Sequence, residues 1–242
     1  MITYHHWDEK LIPSFPSHSA TKGALEVIQW AYDSYGEQLI YSCSFGMEGI
    51  VLLDLIAKVN PSATVVFLDT NYHFSQTYDV INKVKLRYPQ LNIHLQQPAL
   101  TIAEQTEQYG ENLYASNPNK CCELRKIKPL EQVIAPYTAW LSGLRHEQSE
   151  TRKQTQYVNQ DIRFEKVKIC PLIYWTWQEV TDFVTIHQLD YNVLHDQGYP
   201  SIGCEPCTRA VTSADDFRSG RWDGTLKTEC GLHTATSFNK NT

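Results

Sequence analysis

Short apolar runs alternate with helix-length segments along most of this chain, and that alternation restricts its fold more than any other feature. Gln38-Leu-Ile-Tyr-Ser-Cys43, Thr64–Leu68, Leu91–Leu95 and Ala139–Ser142 read as strands, and Val167–Leu172 as a further one. Between them lie helical patterns. From Ala24 the apolar positions Val27, Ile28, Ala31 and Tyr35 form a stripe that ends at Gly36; Ile50–Val59 and residues 74–87 follow, and Thr176–His187 is an amphipathic helix. Buried strands separated by helices cannot pair as hairpins, so they predict βαβ units: an α/β, Rossmann-like parallel sheet with helices on both faces. Residues 1–17 carry no period and read as an N-terminal arm. From Asn192 the chain is dense in Gly and Pro. The expected organisation is an α/β domain over 1–190 and a loop-rich, partly mobile C-terminal extension over 191–242 that caps the ligand crevice.

Net charge is −6 across 242 residues, which argues against a general affinity for nucleic-acid backbone. Met1–Phe15 has no apolar core of a signal peptide, and the apolar stretch Ile50–Ala57 is short and broken by Asp54, so neither export nor a membrane span is expected. Seven cysteines in such a chain point to reduced thiols, metal ligands and catalysis in the cytoplasm rather than to a disulfide framework.

The cysteine spacing is specific. Cys121 and Cys122 are adjacent, Cys204 and Cys207 form a Cys-x-x-Cys pair, and Cys230 lies in Glu229-Cys-Gly-Leu-His233. A Cys-x-x-Cys pair alone is a redox dithiol or half of a zinc site. Adjacent cysteines diverge too much for a compact zinc site and suit a cluster in which each thiolate takes its own iron. The bland alternative is four buried structural cysteines. Cys43 and Cys170 stand singly in strand-like runs and read as core. Cys230, near several cations, reads as a reactive thiolate.

The turn Ser42-Cys-Ser-Phe-Gly-Met-Glu-Gly49 follows a strand and opens a helix, a place that favours phosphate, although a plain strand–helix turn has the same appearance. Asp69-Thr70 either meets an adenosine or caps the next helix, the cap being the simpler reading. Arg125, Lys126, Arg145, Arg152, Arg218, Arg221 and His233 cluster around these elements, an unusual density for an acidic chain that points to an anionic substrate.

These residues together resemble the assimilatory sulfonucleotide reductases, and most closely the iron–sulfur adenylylsulfate (APS) reductases. The resemblance spans about residues 38–233. It rests on Cys121-Cys-Glu-Leu-Arg-Lys126, the run Asn192–Arg209 and Glu229–His233, with Ser44-Phe-Gly46, Phe67-Leu-Asp-Thr70 and Ser142-Gly-Leu-Arg145 in support. It implies an adenine-nucleotide α-hydrolase (PP-loop) type of sheet and a 4Fe–4S cluster on Cys121, Cys122, Cys204 and Cys207. It further implies reduction of APS to sulfite and AMP through an S-sulfocysteine on Cys230 that thioredoxin or a similar dithiol resolves. Lys126, Arg218, Arg221 and His233 match sulfate- and phosphate-binding positions, while Ser42, Ser44, Gly143 and Arg145 match the nucleotide site. A homo-oligomer is compatible with the sequence. Two departures stand out: Asn71 replaces an expected Gly, which Asn tolerates at positive φ, and His146-Glu147-Gln148 is less basic than the family's pattern. The rivals are use of 3′-phosphoadenylylsulfate (PAPS), alone or beside APS, and a PP-loop tRNA-thiolating ATPase. The latter needs a Ser-Gly-Gly-x-Asp-Ser loop that Ser42–Met47 does not supply.

Overall fold

The computed structural model describes residues 1–16, 20–211, 218–223, 227 and 229–233. The tail expected to be mobile lies, beyond His233, outside the described residues. In chain order the main elements are α1 (Ala20–Tyr35), β1 (Leu39–Ser42), α2 (Met47–Val59), β2 (Thr64–Leu68), α3 (Ser75–Arg87) and β3 (Asn92–Gln96). There follow α4 (Ile102–Tyr109), α5 (Leu113–Ser116), α6 (Pro118–Cys122), a π-helical turn over Glu123–Ile127 and α7 (Lys128–Ile134). The chain then forms β4 (Ala139–Leu141), β5 (Val158–Asp161), β6 (Lys166–Ile169) and α8 (Trp177–Ile186).

The six strands form one sheet in the order β3-β2-β1-β4-β6-β5. Every pairing is parallel except β5 with β6. The antiparallel edge strand β5 was not legible: Val158-Asn-Gln-Asp161 carries polar residues at three of four positions, and the fold buries Asn159 and Asp161 by giving them hydrogen-bond partners in the Lys168 carbonyl and Trp140 Nε1. The strand expected over Val167–Leu172 ends at Ile169, where Cys170 N–H turns to the carbonyl of Tyr157. The segment from 102 to 134, left unassigned by periodicity, is a string of short helices opened by local caps, with Thr101 and Asn117 side chains accepting backbone N–H groups.

Strand alternation divides the core in two. Leu39, Tyr41, Val65 and Phe67 face a large cluster with α1, α2, α3 and α8. Ile40, Val66, Leu68 and Trp140 face a smaller cluster with Leu130 and Ile134 of α7. Helices therefore cover both faces, as the near-continuous apolar runs require. The second face is thin, and Leu232 from the far end of the chain packs onto it.

The N-terminal arm is tied down: the Tyr35 hydroxyl donates to the Ile2 carbonyl at 2.9 Å, and Gln160 Nε2 donates to the Tyr4 carbonyl at 2.9 Å. The C-terminal extension is docked too. Cys204 bridges to His73, the Glu205 N–H reaches the Tyr72 carbonyl at 2.6 Å, and Asn192 Nδ2 donates to Thr77 Oγ1 at 3.2 Å.

Candidate active site

β1 leads to β2 on one side of the sheet, while β4 lies on the other. The strand order thus reverses between β1 and β4, and ligands of open α/β sheets bind outside the carboxyl ends at such a point. The residues there are Ser42 to Gly46 after β1 and Ser142 to Leu144 after β4. All but Phe45 line a cavity of about 180 Å³. Phe45 takes φ +54° inside the turn, fully buried and edge-on to Phe67 with ring centroids 5.5 Å apart. A bulky residue in the left-handed region is costly, and packing must hold it there. Gly46 caps α2 with no side-chain hydrogen bond, and the first turn of α2 borders the cavity at Gly46, Glu48 and Gly49.

Ser42, Ser44, Gly143, Lys126, Arg218, Arg221, Cys230 and His233 all line this one cavity. Eight of the nine catalytic and substrate-binding positions that the resemblance implies thus line one cavity. Arg145 is the exception. It is fully buried behind the wall, where Nε and Nη2 donate to Glu48 Oε1 at 3.0 and 2.8 Å and Nη1 to Glu147 Oε2 at 2.9 Å. Gln148 Nε2 donates to the same Glu48 oxygen at 2.9 Å. Burial opposes ionisation of Glu48, but the Arg145 charge, together with hydrogen bonds from its own backbone N–H and from Arg145, keeps the carboxyl below its ordinary pKa. The acidic Glu147 at the less basic segment is Arg145's second partner. What lines the cavity is Glu48, with Gln148 and His195 nearby. All three lie in segments that the sequence singled out, the Ser42–Gly49 turn, His146–Gln148 and Asn192–Arg209, but none was given a role there.

The segment carrying Cys230 is held by charge. Glu229 accepts from Arg152 Nη2 and Arg218 Nη2, both at 3.1 Å, and from Ser149 Oγ at 3.2 Å. Burial raises the Glu229 pKa, yet Arg152 and then Arg218 bring it below the ordinary value. Arg163 Nη1 donates to the Gly231 carbonyl at 2.7 Å, and Gly231 takes φ +86°, a conformation glycine adopts without strain. Burial, then the neighbouring Arg152 charge, pulls Arg218 down to about 10, still protonated at neutral pH. Burial also works against charged Lys126, but Cys204, Cys230 and Cys122 act on it more strongly and raise its pKa.

His233 corrects an expectation. It is not a fourth cation. Burial, followed by the charges of Lys168, Arg152, Arg218 and Lys126, holds its pKa well below the ordinary histidine value. It stands in the site as a neutral imidazole. Cys43 and Cys170 are core residues as expected, with burial pushing their thiols up to about 12 and about 11. Asp69 and Thr70 do not line the cavity. Asp69 Oδ1 accepts from the Asn71 N–H and the Tyr78 hydroxyl at 3.1 and 2.7 Å, closing a turn, while α3 is capped by Phe74.

Next to the main cavity is a smaller one lined by Cys121, Cys122, Cys204 and Cys207. All four are unpaired thiols. The π turn lets the helix carry two adjacent cysteines and still present Arg125 and Lys126. Arg125 anchors it to the end of β2, donating to the Thr70 carbonyl at 2.6 Å, Asn71 Oδ1 at 3.0 Å and Gln105 Oε1 at 2.9 Å. Asn71 sits at φ +59°, so it supplies both the backbone conformation expected of it and a ligand for Arg125. Thr70 Oγ1 lies 3.2 Å from Cys204 Sγ. Burial, then Cys122, Cys204 and Cys207, pushes Cys121 up to about 12, which reports four sulfurs crowded together. Among the described residues no three such donors converge on a single ion. One ion needs sulfurs about 2.3 Å from a common point, whereas a cluster that gives each thiolate its own iron takes a wider set. The chemistry of this donor set fits a cluster.

The fold is that of a doubly wound nucleotide-crevice protein. FMN adenylyltransferase of Candida glabrata, solved with FAD and pyrophosphate, superposes with a TM-score of 0.58 at 17% identity over 82% of this chain and 69% of that one. PAPS reductase of Candida auris, solved as a phosphate complex, gives 0.66 at 30% identity over 78% and 90%. A protein of Geobacillus kaustophilus named adenosine 5′-phosphosulfate reductase is 57% identical over 235 residues, 97% of this chain and 100% of that one. Its namesake in Bacillus velezensis is 56% identical over 233 residues, 96% and 100%. The phosphoadenosine phosphosulfate reductase domain matches residues 38–210, and the chain belongs to that family.

Proposed function

We propose that this protein reduces adenosine 5′-phosphosulfate to sulfite and AMP in assimilatory sulfate reduction. The observation that carries the reading is Cys230 in the same cavity as the Ser42–Gly46 turn, Lys126, Arg218 and Arg221. The nucleotide lies along Ser42, Ser44 and Gly143, with its phosphosulfate toward the three cations. His233 donates as a neutral group, and Arg145 acts from behind the wall by holding Glu48. The Cys230 thiolate attacks the sulfur, the S–O bond to phosphate breaks, and AMP leaves with the electron pair. Its leaving oxygen needs charge stabilisation, which guanidinium groups supply through charge-assisted hydrogen bonds. A dithiol of the thioredoxin type then attacks Cys230 Sγ, sulfite leaves with two electrons, and the second thiol closes the dithiol to a disulfide and restores Cys230.

We assign the four thiols at the smaller cavity to a 4Fe–4S cluster. When bound, it supplies fixed charge beside Lys126. Seven free thiols suit a reducing cytoplasm, and no described helix is long and apolar enough to cross a membrane.

The test is sulfite release from APS and from PAPS, side by side, with thioredoxin and anaerobically purified protein, because the Candida auris neighbour is a PAPS reductase. Cys230→Ser should bind APS and release no sulfite. Wild type given APS without dithiol should gain one sulfonate on the peptide containing Cys230. Normal turnover by Cys230→Ser would refute the assignment.

A further inference from the structure

The wall of the main cavity is backed by a lysine that the reaction above does not use. Lys168 on β6 is 3% exposed. Its Nζ lies 5.0 Å from the Trp140 ring centroid and 3.1 Å from Nδ1 of His233. Burial, with Arg152, pulls the Lys168 pKa down, while Cys170, Asp161 and Cys230 oppose that; its ammonium form has donors only, so toward it Nδ1 must accept, and a neutral ring then carries its proton on Nε2. His233 also stacks on Trp140 with centroids 6.1 Å apart and planes 11° apart, which holds the plane of the ring. Nε2 is on the opposite edge, without a partner among the described residues, and the ring lines the cavity that contains Cys230. The charged groups around the imidazole are Lys168 from β6, Arg152, Arg218 and Lys126. The acids nearby are engaged elsewhere: Glu229 by Arg152 and Arg218, and Asp161 by Trp140 Nε1 at 3.2 Å.

We propose that Lys168 is a positioning residue that locks His233 as a neutral Nε2–H donor aimed at the anionic part of the nucleotide beside Cys230. The ligand in this statement rests on the proposed reaction; the ring tautomer does not. A donor-only neighbour forces one tautomer, as a carboxylate or carbonyl partner forces the other. Removing Lys168 frees Nδ1 and takes away a like charge, so the imidazole should protonate at higher pH than in wild type.

Two measurements decide it. In ¹⁵N-histidine-labelled holoprotein, the His233 signals, assigned by their loss in His233→Ala, should show bare Nδ1 and protonated Nε2 across about pH 6–8. In Lys168→Met, Nδ1 should gain protonation toward the acid end of that range. In a double-mutant cycle on kcat/KM, Lys168→Met should cost about tenfold with His233 present and less than about twofold in His233→Ala, since residues acting as one unit are non-additive. Equal losses in the two backgrounds, or a protonated Nδ1 in neutral wild-type His233, would overturn the proposal. Absence of sulfite release would instead sink the proposed reaction, while the ring spectrum still decides the tautomer.

Discussion

At the scale of single residues, charge and burial determine what each group in this site can do. Glu48 keeps the fully buried Arg145 compensated, and removing that partner carboxylate by Glu48→Gln should be costly. About 3 kcal/mol is expected, the low end for a broken buried pair because Glu147 remains. Differential scanning calorimetry should register a fall in Tm of roughly 6–12 °C for a domain of this size. Because the folded-state pKa of Glu48 lies below the 4.5 of an unperturbed Glu, its contribution is present above that pH and fades as pH falls through the folded value. Wild type and variant should therefore converge in acid. The thiols give the opposite slope. Cys43 and Cys170 hold their protons to about 12 and about 11, against 9.0 for a free thiol. Their contribution is complete below 9.0 and is lost as pH rises toward those values, so Tm should hold up to about pH 9 and drop between about pH 9 and pH 11. In holoprotein at pH 8, iodoacetamide should label Cys230 well before either one; labelling of Cys43 first would contradict the structure.

Elements act here by bringing backbone close to side chains. The Cys204–Cys207 loop is one case. A Cβ placed on Gly203 would stand 2.2 Å from Arg221 Nη2. Arg221 is otherwise held by the Cys207 carbonyl at 3.4 Å, Ser201 Oγ at 3.3 Å and the face of Trp222 at 4.6 Å. Gly203→Ala should push the guanidinium out of its place and leave the sheet alone. We expect KM for APS to rise about tenfold, the loss of one charge-assisted contact, with an unchanged far-ultraviolet spectrum. An unaltered KM would show that Arg221 does not meet the substrate from this position.

Across the whole molecule, three distant pieces converge on the four thiols and the cavity: α6 with its π turn, the Cys204–Cys207 loop, and Glu229–His233. The four cysteines come from two segments about 80 residues apart, so the iron content reports whether the extension has docked. Anaerobically prepared wild type should be brown, with about four irons per chain. Cys207→Ser should lose the colour and the activity while β1–β6 stay folded, because no strand contributes a ligand. Stoichiometric zinc without iron in wild type would refute the cluster.

The sequence by itself determined the elements whose residues are apolar in period: β1 to β4, α1 to α3, α8, and the core placement of Cys43 and Cys170. It also picked out the cysteines and most of the cations, because sulfur and guanidinium chemistry narrows what those side chains can be for. Tertiary structure alone decided the rest, for physical reasons visible at particular residues. Val158–Asp161 is a strand only because β6 offers it an open edge. Arg145 reads as a free cation until folding buries it against Glu48. His233 has an ordinary histidine's pKa in the unfolded chain and becomes a neutral donor only when Lys168, Arg152, Arg218 and Lys126 close around it. Sequence spacing carries local conformation and chemical identity; charge state and orientation depend on which groups, remote in the chain, share a low-dielectric wall.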